Sequence, residues 1–354
     1  MLKGDIIKGY KILKDFTTAG GGLSKWTFAQ KNGKEYFMKE FLYPKYPTKN
    51  APGSPETKAR KLKACENFER HHKSLMLEIN EKCGSGGNLV FTVDFFRSES
   101  KYYKVTEKVD VASLSIREIS SLPLSSRVLI LKTICHSLNV LHKAGIVHGD
   151  LKPDNILIKE TKTHNYTAKL IDFDNSYFSG NPPEIIEELV GDMVFYSPEL
   201  AGYIQEDTRI QGKDLTTLSD VFALGLLFCL YLKGSLPEFD QEKYHYACVA
   251  VRNGVRLVSA YSDLPPELNA LIEKMLISDY TKRPTVAEIF DGLKSLNIQE
   301  DEDKTPTHPL NKALLKGGLS SKTKESPLES SEDPPPLTPS QGGLRGKGLN
   351  IGKK

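Results

Sequence analysis

Two acids flanking a short pair of apolar strands constrain this chain more than any other feature. Asp150 lies in His148-Gly149-Asp150-Leu151-Lys152-Pro153-Asp154-Asn155. Asp172 closes an apolar run in Leu170-Ile171-Asp172-Phe173-Asp174, seventeen residues after Asn155. Between them, Ile156–Ile158 and Lys169–Ile171 read as a short hairpin. Asp150 is placed to accept a hydroxyl proton, while Asn155 and Asp172 offer hard oxygen ligands to Mg²⁺. That set suits the movement of a phosphoryl group.

The sequence before and after this loop differs in character. Upstream, Tyr10–Phe16 alternates weakly, and Asn32-Gly33 marks a tight turn between Trp26–Gln30 and Tyr36–Phe41. Ser54-Pro55-Glu56 supplies an N-cap, a first-turn proline and a first-turn acid for a helix to about Lys82, ending at Gly84. Strands at Leu89–Phe96 and Lys101–Val109 complete a sheet-rich part with one long helix. From Ser125 onward helices dominate: Ser125–Ala144, Leu218–Leu232, Lys243–Asn253, Pro266–Leu276 and Val286–Leu296. After Ile298 the chain turns to Pro, Ser, Gly and Lys, a composition too polar to order itself.

Bulk properties exclude several classes. Among 354 residues the net charge is +3, too small to argue for nucleic acid or membrane as a partner. The five cysteines form no Cys-x-x-Cys pair, which argues against a zinc site and a disulfide framework. The first ten residues lack a signal-peptide core, and the apolar run Val221–Leu232 is too short to span a bilayer. A cytoplasmic location is expected.

At these residues the chain resembles the protein kinase family, from about Tyr10 to Leu296. The resemblance implies an α+β bilobal fold, with a small antiparallel-sheet lobe (residues 10–109), a larger helical lobe (110–297), a short extension (1–9) and a tail (298–354). It implies ATP and Mg²⁺, with Asp150 as base, Lys152 neutralising the transferred phosphate, and Asn155 and Asp172 on the metal. Ala19-Gly20-Gly21-Gly22-Leu23-Ser24 would cover the phosphates, with Trp26 and Phe37 above the adenine and Lys39 on the α- and β-phosphates. In the long helix, Glu69 falls on the face of Leu62, Cys65, His72, Met76 and Ile79, so it is the expected ion-pair partner of Lys39. Thr106, Glu107 and Val109 would form the adenine-binding hinge. Asp220 would anchor the catalytic loop, and Glu199 would pair with Arg283.

Several positions depart from the family pattern. Gly149 replaces the arginine that pairs with activation-loop phosphate, and residues 175–190 hold Glu184, Glu187 and Glu188 with no base. Activity independent of loop phosphorylation is therefore expected. Asp174 replaces a glycine, and Asp192 replaces a threonine in the substrate-docking segment. Lys152 points to serine or threonine in protein substrates. His-Gly-Asp and Asp-Phe-Asp also resemble aminoglycoside and choline phosphotransferases, and the altered glycine loop fits a non-catalytic binding module. Thr305, Ser326 and Thr338, each before proline, offer phosphorylation sites, and the tail prolines offer a docking segment.

Overall fold

The computed structural model describes residues 2–19, 24–48, 52–84, 88–109, 113–161, 165–183, 186, 189–258 and 261–298. The glycine run Gly20 to Leu23, the loop acids Glu184, Glu187 and Glu188, and the tail from residue 299 lie outside them. The described residues all belong to one compact unit.

The first part is a six-stranded antiparallel sheet. Its strands are β1 (Ile6–Ile7), β2 (Tyr10–Ile12), β3 (Ser24–Lys31) and β4 (Lys34–Phe41), then β5 (Thr92–Ser98) and β6 (Lys101–Glu107) after the helix α1 (Pro55–Lys82). The spatial order is β1-β2-β3-β4-β6-β5. Asn32 and Gly33 turn β3 into β4 with φ of 52° and 78°, the pair of positive values a two-residue hairpin turn requires. The sequence misses β1, which adds Ile7 to the core with Tyr10, Ile12, Met38 and Val105.

Ser54 caps α1 as expected, its Oγ accepting from Thr57 N at 3.2 Å. The helix joins two cores. Cys65, Phe68 and Met76 pack with Phe41, Phe95 and Tyr102 under the sheet, whereas Leu75, Ile79 and Cys83 belong to the large helical core. The strand expected from Leu89 starts only at Thr92. Leu89 and Val90 run instead beside Leu170, with Val90 N donating to Leu170 O (3.0 Å) and Leu170 N to Asn88 O (2.8 Å). Their apolar side chains are buried there, away from the sheet.

The second part is mainly helical. It contains α2 (Ile116–Ser120), α3 (Leu124–Lys143), strands β7 (Ile146–Val147), β8 (Ile156–Glu160), β9 (Tyr166–Leu170) and β10 (Tyr177–Phe178), then α4 (Pro198–Ile204) and α5 (Thr217–Lys233). Four further helices follow: α6 (Gln241–Tyr244), α7 (Ala247–Arg252), α8 (Pro266–Met275) and α9 (Val286–Ser295). Helix α5 is buried on all sides from Ser219 to Leu232, as its unbroken apolar run requires. The single helix expected over 243–253 is two. His245 has φ 60°, which ends α6, and Tyr246 is extended before α7 begins. No described helix is long and apolar enough to cross a membrane.

Candidate active site

Strand pairing defines the face that meets the helical part. Trp26 lies opposite Lys39, Phe28 opposite Phe37, Phe37 opposite Thr106, and Lys39 opposite Lys104. Cross-strand partners share a face, so these six side chains project from one side of the sheet. Trp26 and Phe37 stack on each other with centroids 5.5 Å apart, and Trp26 Nε1 donates to Ala19 O at 2.7 Å. Ser24 opens β3 and is buried, Thr106 and Val109 are half-buried, and β6 ends at Glu107, whose carboxylate takes Lys34 at 2.5 Å.

Lys39 reaches across to the segment after β9. Its Nζ lies 2.5 Å from Asp172 Oδ2 and 2.9 Å from Asp174 Oδ2. The other oxygen of Asp174 accepts from Lys104 Nζ at 2.5 Å. Burial opposes the charge on Lys39, but Asp174 and Asp172 outweigh it and hold the ammonium above the usual lysine range. Burial likewise works against Asp174, yet Lys104 and Lys39 bring its carboxyl well below the usual range. Asp172 goes the other way: burial, then repulsion from Asp174, raises it despite both lysines.

The expected pair between Lys39 and Glu69 is not formed. Glu69 accepts from Tyr102 OH (2.8 Å) and Lys73 Nζ (3.2 Å), with Arg97 Nε at 3.8 Å. It sits one turn too early on α1, about 4.5 Å along the axis from His72. His72 is the α1 residue that faces the cluster. It is stacked on Phe95 at 5.0 Å and packed against Phe68 and Phe41. Burial lowers its pKa to about 3 against the pull of Asp174, so it stands there neutral.

The loop 148–155 is held by α5. Asp220, nearly fully buried, accepts from His148 N (2.7 Å) and Gly149 N (3.1 Å) and also meets His142 Nε2 (2.9 Å). Burial lowers the pKa of His148, and its neutral ring donates from Nε2 to Ile171 O at 3.2 Å. Ile171 N donates in turn to Asn155 O at 3.0 Å. The loop is thereby bonded to the residue just before Asp172.

Within the loop, Asn155 Nδ2 donates to Asp150 O (2.7 Å) and to Asp150 Oδ2 (2.9 Å), and Lys152 Nζ lies 2.8 Å from the same oxygen. Asp150 Oδ1 accepts from Asp192 N at 3.2 Å. The side chain of Asp192 caps its own turn by accepting from Val194 N at 3.0 Å. Glu199 takes both outer nitrogens of Arg283 at 2.8 and 2.9 Å and Ser219 Oγ at 2.8 Å.

Residues 56–292 match the protein kinase domain family. The chain belongs to the protein kinase family. The matched span begins in α1, downstream of the β3–β4 hairpin that carries Trp26, Phe37 and Lys39. The chain is similar to calcium-dependent protein kinase 17 of Arabidopsis thaliana, 28% identical over 52% of this chain and 32% of that protein. It is 29% identical to the ovarian-specific serine/threonine-protein kinase Lok of Drosophila melanogaster, over 56% of this chain and 41% of Lok. Serine/threonine-protein kinase Pkn1 of Myxococcus xanthus is 27% identical over 56% of this chain and 27% of its own length. The chain thus spans less than half the length of these relatives.

Three members of this cluster are not anticipated from the sequence: Lys104, Asp174 and His72. A signal for the first two was present. Lys104 shares a strand face with Tyr102 and Thr106 on a buried strand, where an ammonium requires a carboxylate. Asp174 was the unassigned acid nearby.

Proposed function

We propose that this protein transfers the terminal phosphoryl group of ATP to serine or threonine hydroxyls of protein substrates. The observation that carries the reading is the contact chain from Lys39 to Asp172 (2.5 Å) and from Ile171 to Asn155 (3.0 Å) and His148 (3.2 Å). It links a sheet lysine and the acid after β9 to the loop whose Asn155 holds Asp150. The domain proposed for this work is 10–297, with lobes 10–109 and 110–297.

Asp150 orients the substrate hydroxyl and accepts its proton, held in place by Asn155 and Lys152. Lys152 then faces the phosphoryl group as it moves. Lys39 binds the α- and β-phosphates, under a roof of Trp26 and Phe37, with Thr106, Glu107 and Val109 at the adenine edge.

The donor set fits Mg²⁺. Asp172 Oδ1 is buried with no hydrogen-bond partner, and the amide nitrogen of Asn155 is committed to Asp150, which leaves its oxygen for a cation. Among the described residues no group of three or more His, Cys, Asp or Glu is placed to hold a metal. Phosphate oxygens would complete the shell, as is usual for this ion. Bound there, Mg²⁺ supplies positive charge against the phosphates.

Transfer of labelled phosphate from ATP to a generic protein substrate, compared with a panel of small alcohols, tests the reading. Asp150→Asn should lower the rate by about 10²- to 10⁴-fold with nucleotide binding retained. Equal incorporation by both proteins, or transfer only to the alcohols, overturns it.

A further inference from the structure

We propose that Asp174, braced by Lys104, positions Lys39 for the nucleotide, and that α1 supplies no counter-ion for that lysine. The proposal deepens the ATP-dependent reading above and rests on it. The three groups lie in line: Lys104 Nζ on Asp174 Oδ1 (2.5 Å), and Asp174 Oδ2 on Lys39 Nζ (2.9 Å). All three side chains are nearly buried, with 7%, 14% and 14% exposure in that order, so the contacts are poorly screened by solvent.

The alternatives on α1 are both spent. Glu69 is held by Tyr102, Lys73 and Arg97. His72 faces the cluster but is fixed as a neutral ring between Phe68 and Phe95. Asp172 also touches Lys39, yet it is the acid with a free oxygen and the one proposed to serve a cation. When Asp172 turns to that task, Asp174 alone keeps Lys39 in place.

Charge explains the second lysine. Two lysines and two aspartates sum to zero in this cluster. With Asp172 given over to a cation, Lys39, Lys104 and Asp174 leave one positive charge facing the phosphates. A single lysine–carboxylate pair would leave none. Lys104 therefore restores the charge that Asp174 would otherwise cancel. The lysine and the metal acid are also ordered by the same three-residue segment, 172–174, and not by a helix on the far side of the cleft.

Asp174→Asn alone strands Lys104 as a buried unpaired charge, so the informative protein is Lys104→Met/Asp174→Asn. ATP affinity of the full chain, with and without Mg²⁺, is measured by calorimetry alongside KM and kcat. The double variant should melt near wild type, bind ATP about tenfold more weakly, and show the loss mainly in KM; tenfold corresponds to one lost charge-assisted contact. Glu69→Gln should bind ATP as wild type does. Wild-type affinity in the double variant, or an equal loss in Glu69→Gln, overturns the proposal and leaves the kinase reading intact. Absence of ATP binding by wild type defeats both.

Discussion

Gly149 sits against the backbone of Asn175: with φ at 77°, a β-carbon on Gly149 would lie 2.3 Å from the carbonyl oxygen of Asn175. The family's arginine is thus excluded by this backbone as folded, and glycine here is a steric requirement. Gly149→Ala should cost about 2 kcal/mol or more, from the left-handed conformation and the clash together. Thermal unfolding of the variant checks it. Gly149→Arg should fare no better and should not make the protein responsive to activation-loop phosphate.

Arg283→Met should be among the most damaging single changes outside the cleft. It leaves Glu199 buried with only Ser219 as partner, where the wild-type protein has a two-point ion pair. The expected loss is about 3–5 kcal/mol in denaturant unfolding. Glu199→Gln/Arg283→Met should recover part of it, because no uncompensated charge remains.

Trp26 is the single tryptophan of the chain, so its emission reports on one place. It stacks on Phe37 and is tied through Nε1 to Ala19, at the edge of the glycine run. Binding of ATP beneath this pair should change its fluorescence saturably. Phe37→Ala should weaken nucleotide binding severalfold, within the range of an aromatic contact of about 1 kcal/mol. No emission change at saturating ATP would remove Trp26 and Phe37 from the adenine roof.

His71 and His72 predict acid sensitivity. Burial holds both below the ordinary histidine value, His72 to about 3. Between that value and about 6.5 the unfolded chain takes up a proton at His72 that the folded chain refuses. Stability from this residue is therefore complete above about pH 6.5 and falls as pH drops, by up to about 1.4 kcal/mol per pH unit. Melting temperature measured from pH 7.5 down to about 5 should fall less steeply in His72→Phe, provided that variant folds.

Local rules made much of the fold legible. The Asn32-Gly33 turn, the Ser54 cap and the apolar run of α5 each specify their element without help from distant residues. Failures arose where a tertiary partner decided the outcome. Leu89 and Val90 have strand character, but β9 claims their backbone. In 243–253 the helical pattern continues across His245, whereas Asp240 caps a separate short turn before it. The site divides the same way. Asp150, Asn155, Asp172, Asp220, Glu199 and Arg283 lie in ordered motifs whose spacing carries information. The partner of Lys39 does not. Helical periodicity puts Glu69 and His72 on one stripe, and only the position of α1 along its axis separates them.

The backbone bonds between Leu170 and the Asn88–Val90 segment have a mechanical consequence. They fasten the chain just beyond the C-terminal end of α1 to the strand that leads into Asp172, while Leu75 and Ile79 sink into the same underlying core. Farther up the helix, His71 Nε2 lies 3.0 Å from Ser176 O, so α1 is moored to the stretch following the 172–174 carboxylates at mid-length as well as at its end.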